Sequence, residues 1–363
     1  MPRRVAGRQL DLLRRSRDFR LLFLAALGSA LGSRLAVTAL LVDVWDRTNS
    51  GKWIAALLVA DFVPTIVIGL LLGSLIDRLS RRRLMIGSDL VRCAAFCALP
   101  FATGPGMVVA LAGVVGFANG FFRPALYAAL PNLVDDEDLE DANAVFQGGE
   151  NASWMLGPLL AGGLLTISGP DVPYWVNAAT FLLSAVLIAR IPGHRFQLAA
   201  AEARGHWREL GEGFATVLRE RPLLTVLVAW SVVFFGTASV DVAEVSLAKE
   251  VFNGGNFGLG VLMSGAGVGL IVGSFGSSAV TSRFGVPRTY GASLALMGIA
   301  AGLAAASPNV WVASAFAVLF GLGNGVAIVA NSLLVQRGAP DSVRGRVFTV
   351  IMSANYAAYL AGM

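Results

Sequence analysis

Among the ionisable residues inside long apolar runs of this 363-residue chain, five stand out as candidates for chemistry: Arg34, Asp61, Glu150, Asp241 and Glu244. A charge at the centre of a hydrocarbon layer is costly, so such residues face a cavity or a partner. A carboxylate in a partly dry cavity can exchange a proton as the cavity changes side. A guanidinium can attract an anionic group or pair with a carboxylate. Arg34 and Glu150 lie far enough into their runs to line a central space, whereas Asp61, Asp241 and Glu244 lie nearer the outer ends. This chemistry is the handling of protons or solutes, not bond cleavage. There is no glycine-rich P-loop, and His194 and His206 both fall in one polar stretch, so neither ATP-driven transport nor histidine catalysis is supported. Cys93 and Cys97, one helical turn apart and without other cysteines, read as small packing residues, and no metal or cofactor is expected.

The elements that must position these residues follow from composition. Hydrophobic residues make up 56% of the chain, charged residues 14%, and mean hydropathy is +0.69. Soluble domains are about 25% charged, so the apolar excess must face lipid. A helix needs about 20 apolar residues to cross a bilayer. Eleven runs approach or exceed that length: 20–45, 53–77, 84–103, 107–131, 141–168, 172–191, 222–247, 258–282, 287–307, 310–336 and 346–363. The first follows seven arginines (Arg3, Arg4, Arg8, Arg14, Arg15, Arg17 and Arg20) and is too long for a cleaved signal peptide, so it reads as a retained membrane helix. These runs are called spans 1 to 11 below.

With the N-terminus placed in the cytoplasm, 22 of the 28 lysines and arginines fall on that side. The positive-inside rule therefore orients the chain and accounts for its net charge of +5 without nucleic acid. One inner loop departs from the pattern: DDEDLED, Asp135 to Asp141, suits a solvated loop at a helix N-terminus or a charge partner for nearby arginines. Residues 192–221 form the one long polar stretch, in which Trp207, Leu210, Phe214 and Leu218 recur at helical spacing, as an amphipathic surface helix requires. The stretch separates a bundle at 1–191 from one at 222–363.

The two parts repeat. DRLSRRR at Asp77 aligns with SRFGVPR at Ser282, an offset of 205, and DANAVF at Asp141 aligns with RGRVFT at Arg344, an offset of 203. Six crossings return a chain to its starting side, so two six-helix halves form a parallel repeat. Carried forward, the repeat places Met363 opposite Leu160, within span 11, and the expectation is that the second bundle is incomplete here and lacks a twelfth helix.

GSLIDRLSRRR, from Gly73, closely resembles the loop signature of the major facilitator superfamily through Gly73, Asp77, Arg78, Arg81 and Arg82. Ser80 stands where the signature has a second glycine; the later copy keeps Gly285 and has Ser282 in place of the aspartate. The resemblance implies that Asp77 latches onto the start of span 11, near Arg344 and Arg346, when the cavity faces outward. WMLGPLLAGG resembles the span 5 signature of the family's exporters, with Gly157, Pro158, Gly162 and Gly163 permitting close approach and bending. LGSRLAVTALL, RPALYAALPNLV and DANAVFQ resemble a bacterial exporter branch that includes enterobactin and macrolide exporters. The arginine that proton-coupled members often carry in span 4 has no counterpart in AGVVGFANG.

The expectation is thus an all-α polytopic membrane protein of the major facilitator fold, monomeric, in the cell (inner) membrane. It is expected to export a small amphipathic molecule in exchange for protons by alternating access. Glu150 and Asp61 would carry protons, Arg34 would attract an anionic group or pair with Glu150, and Asp89 with Arg92 would form a structural pair. Uptake by the same fold is the alternative, as is a non-transporting relative serving as a membrane receptor or scaffold.

Overall fold

The computed structural model describes residues 2–71, 79–196, 214–339 and 344–363. Over the described residues all eleven spans are helical, preceded by a short helix: α1 Pro2–Arg15, α2 Arg17–Thr48, α3 Gly51–Leu71, α4 Arg81–Ala98, α5 Pro105–Ala129, α6 Leu139–Ser168, α7 Asp171–Ala189, α8 Arg221–Ser246, α9 Gly255–Phe284, α10 Val286–Ala305, α11 Val310–Gly338 and α12 Arg344–Gly362. Among the described residues there is no strand. Eight of these helices are long and apolar enough to cross a membrane; α6 and α10 are not counted with them, and Val347–Gly362 is a shorter apolar helix.

Local chemistry sets the helix ends. Ser16 caps α2, its hydroxyl accepting from the Phe19 amide at 3.3 Å, and Asn49 ends that helix in the left-handed region at φ 46°. Asn309 accepts from the Trp311 and Val312 amides to start α11. Gly285, at φ 80°, turns α9 into α10, a conformation that an L side chain would strain. Of the predicted amphipathic surface helix, residues 214–219 are described and helical, with Val217 buried and Phe214 and Leu218 exposed; Trp207 and Leu210 lie outside the described residues.

The chain divides into two compact units, Met1–Ala201 and Glu202–Met363. In the first, α2 packs on α6 and α7, α3 on α5, and α4 on α5 and α7. Phe19, Leu22, Met85, Phe122, Phe146 and Ile188 knit these helices into one apolar core, which Leu12 of α1 joins. In the second, α8 packs on α12, α9 on α11, and α10 on α11, around Leu223, Trp230, Tyr290, Met297 and Val347. The pairings repeat: α3 with α5 matches α9 with α11, α4 with α5 matches α10 with α11, and α2 with α6 matches α8 with α12. The offset of 205 holds to the residue at one contact. A Cβ on Gly116 would stand 2.1 Å from the Asp61 carbonyl oxygen, and one on Gly321 would stand 2.0 Å from that of Ala266.

Two polar clasps join elements within the first unit. Arg47 donates from Nε to Asp43 Oδ1 at 2.8 Å and from Nη1 to the Ala102 carbonyl at 3.0 Å, while Tyr174 donates to Asp43 Oδ2 at 3.0 Å. The carboxylate thereby ties α2 to α7 and to the loop after α4. At the other end, Arg81 donates to the Ala128 carbonyl at 2.7 Å and Arg82 to that of Ala189. Two guanidinium groups at the start of α4 thus satisfy the last turns of α5 and α7, where free carbonyls and the negative end of the helix dipole favour cations. Because Asp43 and Tyr174 are buried, Tyr174→Phe is expected to lower stability by about 1 kcal/mol and Asp43→Ala by about 2–3 kcal/mol. Thermal denaturation of the purified chain in detergent checks the order; equal effects would contradict the central place given to the carboxylate.

Candidate functional site

The first unit encloses a cavity of about 200 Å³ that lies entirely among α2 to α6. Its lining is mostly aliphatic and aromatic, and the charged and amide groups on it come one or two from each helix: Arg34 from α2, Asp61 from α3, Arg92 from α4, Asn119 and Arg123 from α5, and Glu150 from α6. Three of the five residues singled out in the sequence therefore share one wall.

Close backbone approach sets two of them. At Gly157, α6 presses so tightly against α2 that a Cβ would stand 2.4 Å from Arg34 Cβ. One turn earlier on α6, Trp154 presents its ring to Arg34, the guanidinium carbon 3.5 Å from the ring centroid, a cation–π contact. Asp61 is placed by the Gly116 contact, with Thr65 donating both to the Gly116 carbonyl at 2.7 Å and to the Asp61 carbonyl at 3.1 Å. Asp61 also lies within the field of Arg34 and Arg92.

Glu150 receives Arg123 Nη2 at 2.9 Å and the Tyr127 hydroxyl at 3.1 Å, both on Oε1. The cation on Glu150 is thus Arg123, one helical turn before Tyr127 on α5, and not the Arg34 considered as its partner from the sequence. Tyr127 and Trp154 were not anticipated as site residues. Their signal was present, since Tyr127 stands four residues from Arg123 and Trp154 three from Gly157, the spacings that share a helix face.

Asp89 and Arg92 pair as expected, and the structure places them in a larger assembly than a lone i, i+3 pair. Both are buried. Arg92 donates to Asp89 Oδ1, to Asn119 Oδ1 at 3.0 Å and to the Ser88 carbonyl at 3.4 Å, while Ser184 donates to Asp89 Oδ2 at 2.7 Å. The Phe122 and Phe181 rings hold the guanidinium between them at 4.2 and 4.3 Å. Each guanidinium nitrogen has an acceptor and each carboxylate oxygen a donor, as burial of a charge in a membrane bundle requires.

The remaining candidates lie elsewhere. Asp241 and Glu244 belong to α8 of the second unit, where Tyr359 of α12 donates to Asp241 Oδ2 at 2.6 Å and the chain widens into a π-turn at Leu247–Val251. Gly157, Pro158 and Gly162 are buried on α6. Gly73, Asp77 and Arg78 lie outside the described residues, as do the Arg344 and Arg346 side chains, and so does the latch expected between them. Cys93 and Cys97 are free thiols on α4.

The repeat supplies an internal comparison. At an offset of 205, Asp61 corresponds to Ala266, Arg34 to Ser239, Asp89 to Leu294 and Arg92 to Met297. Met297 is buried in the second unit's core with Leu294 against it, so the same pairing of helices forms there without the buried ions. Removing one member of a buried ion pair costs about 3–5 kcal/mol, whereas replacing both with apolar groups is often neutral. Asp89→Leu alone is therefore expected to lower stability by about 3–5 kcal/mol, and addition of Arg92→Met to recover most of that loss. Chemical denaturation of the three variants checks this; a double variant no more stable than the single one would refute it.

Residues 22–363 match the family model described as Major Facilitator Superfamily. The chain is 27% identical over 347 residues to "Uncharacterized MFS-type transporter YfiS" of Bacillus subtilis (strain 168), an alignment covering 92% of this chain and 82% of that protein. It is 25% identical over 362 residues to "Multidrug efflux pump Tap" of Mycolicibacterium fortuitum, covering 94% of this chain and 87% of the other. Among solved structures, the nucleoside transporter NupG superposes with a TM-score of 0.76 at 13% identity, covering 95% of this chain and 89% of its own, a likeness of fold.

Proposed function

Because the chain belongs to the Major Facilitator Superfamily and is a multi-pass membrane protein, we propose that it exports a small amphipathic molecule by alternating access, in exchange for protons. The N-terminus is assigned to the cytoplasm of a bacterial inner membrane, on the strength of the arginine distribution. Export, rather than uptake, is favoured by similarity to a protein named as a multidrug efflux pump.

The observation that carries this reading is the asymmetry between equivalent positions. The fold makes the Gly116 contact with Asp61 in one unit and the Gly321 contact with Ala266 in the other. It sets Gly157 against Arg34, whereas in the second unit Gly362 meets the Phe235 carbonyl, and Ser239, at the place of Arg34, donates to the Gly362 carbonyl at 2.9 Å. Packing at the Asp61 position is thus achieved with a methyl group. A carboxylate and a guanidinium facing a cavity serve a purpose other than packing.

In this scheme Asp61 and Glu150 bind and release protons as access changes. Arg34, stacked on Trp154, meets the polar end of the solute, and the aromatic wall takes its apolar body. A proton or solute moves the equilibrium between inward and outward states only by binding them unequally. Asp77 and the adjacent arginines Arg78, Arg81 and Arg82 bias that equilibrium at the inner end, and Gly157, Pro158 and Gly162 provide the bend in α6. Asp241 and Glu244 form a second acidic pair on α8, a candidate for coupling in the other unit.

The test uses inverted vesicles carrying the full-length protein, with uptake of ethidium and of a macrolide measured under an imposed proton gradient. Arg34→Ser with Asp61→Ala, which copies the second unit, is expected to fold with stability near that of the parent and to lose transport by about tenfold or more, the equivalent of about 1.4 kcal/mol in the barrier. Glu150→Gln is expected to reduce the dependence on the gradient. Transport indifferent both to collapse of the gradient and to Glu150→Gln would rule out proton coupling, and a fully active double variant would remove Arg34 and Asp61 from the mechanism.

A further inference from the structure

The N-terminal helix α1 has two chemically different sides. Arg8, Leu12 and Arg15 follow one another at spacings of four and three, and so share a face. Leu12 is buried in the core of the first unit, Arg8 Nε pairs with Asp141 at 3.2 Å, and Arg15 pairs with Asp138. This face is docked onto the acidic loop that leads into α6, and its charges are answered there.

The corner between α1 and α2 carries three more arginines, none of which forms an ion pair among the described residues. Arg14, Arg17 and Arg20 are exposed. Arg20 turns back and donates from Nη1 to the Leu13 carbonyl at 3.1 Å and to the Arg14 carbonyl at 3.2 Å, which caps α1 and brings its guanidinium against the turn that bears Arg14. Arg14 and Arg17 make no hydrogen bond or ion pair among the described residues, although Arg17 borders a polar pocket that Asp18, Asp135 and Asp138 also line. The nearest acid in sequence, Asp18, is taken by Arg195 at 3.5 Å, and Asp11 is exposed one turn before Arg14. Three like charges gathered around one corner repel one another unless anions lie between them.

The position of this corner identifies the anion. Arg17 opens α2, a 32-residue membrane-crossing helix, so Arg14, Arg17 and Arg20 occupy the level at which that helix leaves the bilayer. We infer that the α1–α2 corner is a binding site for an anionic phospholipid, whose phosphate is held by Arg14, Arg17 and Arg20 while the opposite face of α1 stays clamped to the loop before α6. Because α6 carries Glu150, Trp154 and Gly157, lipid binding at the corner supports the helix that forms one wall of the cavity. This inference rests on the membrane character of the chain and is independent of what is transported.

The full-length protein is reconstituted in phosphatidylcholine vesicles containing a minor fraction of phosphatidylglycerol and re-extracted in mild detergent, and the lipid retained per protein is measured by native mass spectrometry. Each arginine near an anionic leaflet contributes roughly a fivefold gain in affinity, screened by salt. Wild type is expected to retain phosphatidylglycerol in preference to phosphatidylcholine, with the preference falling as salt is raised. The Arg14→Gln/Arg17→Gln/Arg20→Gln variant should lose it, and the triple Lys variant should keep most of it. Arg219→Gln/Arg288→Gln/Arg337→Gln removes the same charge elsewhere and should behave as wild type. Should the Gln triple fail to fold, Arg14→Gln/Arg17→Gln, which breaks no protein contact, replaces it. Retention unchanged in the Gln variants, or lost equally in the control triple, overturns the proposal. A response to inorganic phosphate equal to that produced by the lipid would also overturn it, by reducing the corner to a site for a free anion.

Discussion

Hydrocarbon offers a polar group no hydrogen-bond partner, and this constraint governs where each charged residue of the chain stands. It is met in three ways. At helix ends, Arg81 and Arg82 bond to the terminal carbonyls of α5 and α7, and Arg47 with Asp43 closes the opposite end of the same unit. In the interior, Arg92 is enclosed by a carboxylate, an amide, a carbonyl and two rings. Around the cavity, Glu150 receives an arginine and a tyrosine donor on one oxygen, and Arg34 lies over a ring face. The gradient from enclosed to cavity-facing charge distinguishes scaffold from candidate site.

Close packing supports that gradient. Two glycines permit helices to meet backbone to backbone, Gly116 at Asp61 and Gly157 at Arg34. Each contact fixes the axial position of the charged residue while leaving its side chain on the cavity. An additional methyl group at either glycine would push its helix away and shift the charge with it, so the precision of the polar wall depends on residues that have no side chain.

Much of this was legible in the sequence. The eleven spans were found because apolar runs near 20 residues have no other use, and Ser16, Asn49 and Gly285 stand at breaks between them as caps and turns require. The 205-residue repeat, read from two short loops, holds between Gly116 and Gly321. Partnership across helices was harder. Arg123 and Glu150 are 27 residues apart, and whether they meet depends on the rotation of α5 and α6 about their axes, which a single sequence constrains only loosely. The same limit hid Tyr174 from Asp43, 131 residues away. Asp61 was placed toward the outer end by counting along its span, whereas its role on the cavity wall depends on the face it occupies.

A duplicated fold also distinguishes what the architecture needs from what has been added to it. The second unit repeats the helix pairings and the Gly116 contact, and has Ala266, Ser239, Leu294 and Met297 at the places of Asp61, Arg34, Asp89 and Arg92. Neutral residues therefore suffice to build this bundle. Burial of Asp89 with Arg92 is a cost that the first unit bears and the second avoids. Arg92 also borders the cavity that Asp61 faces, so the pair sets a fixed cation beside a carboxylate that the fold itself does not require. The second unit places its own carboxylates differently, on α8 beside Tyr359 and the π-turn. The two halves thus share a frame and divide the charges between non-equivalent positions within a common architecture.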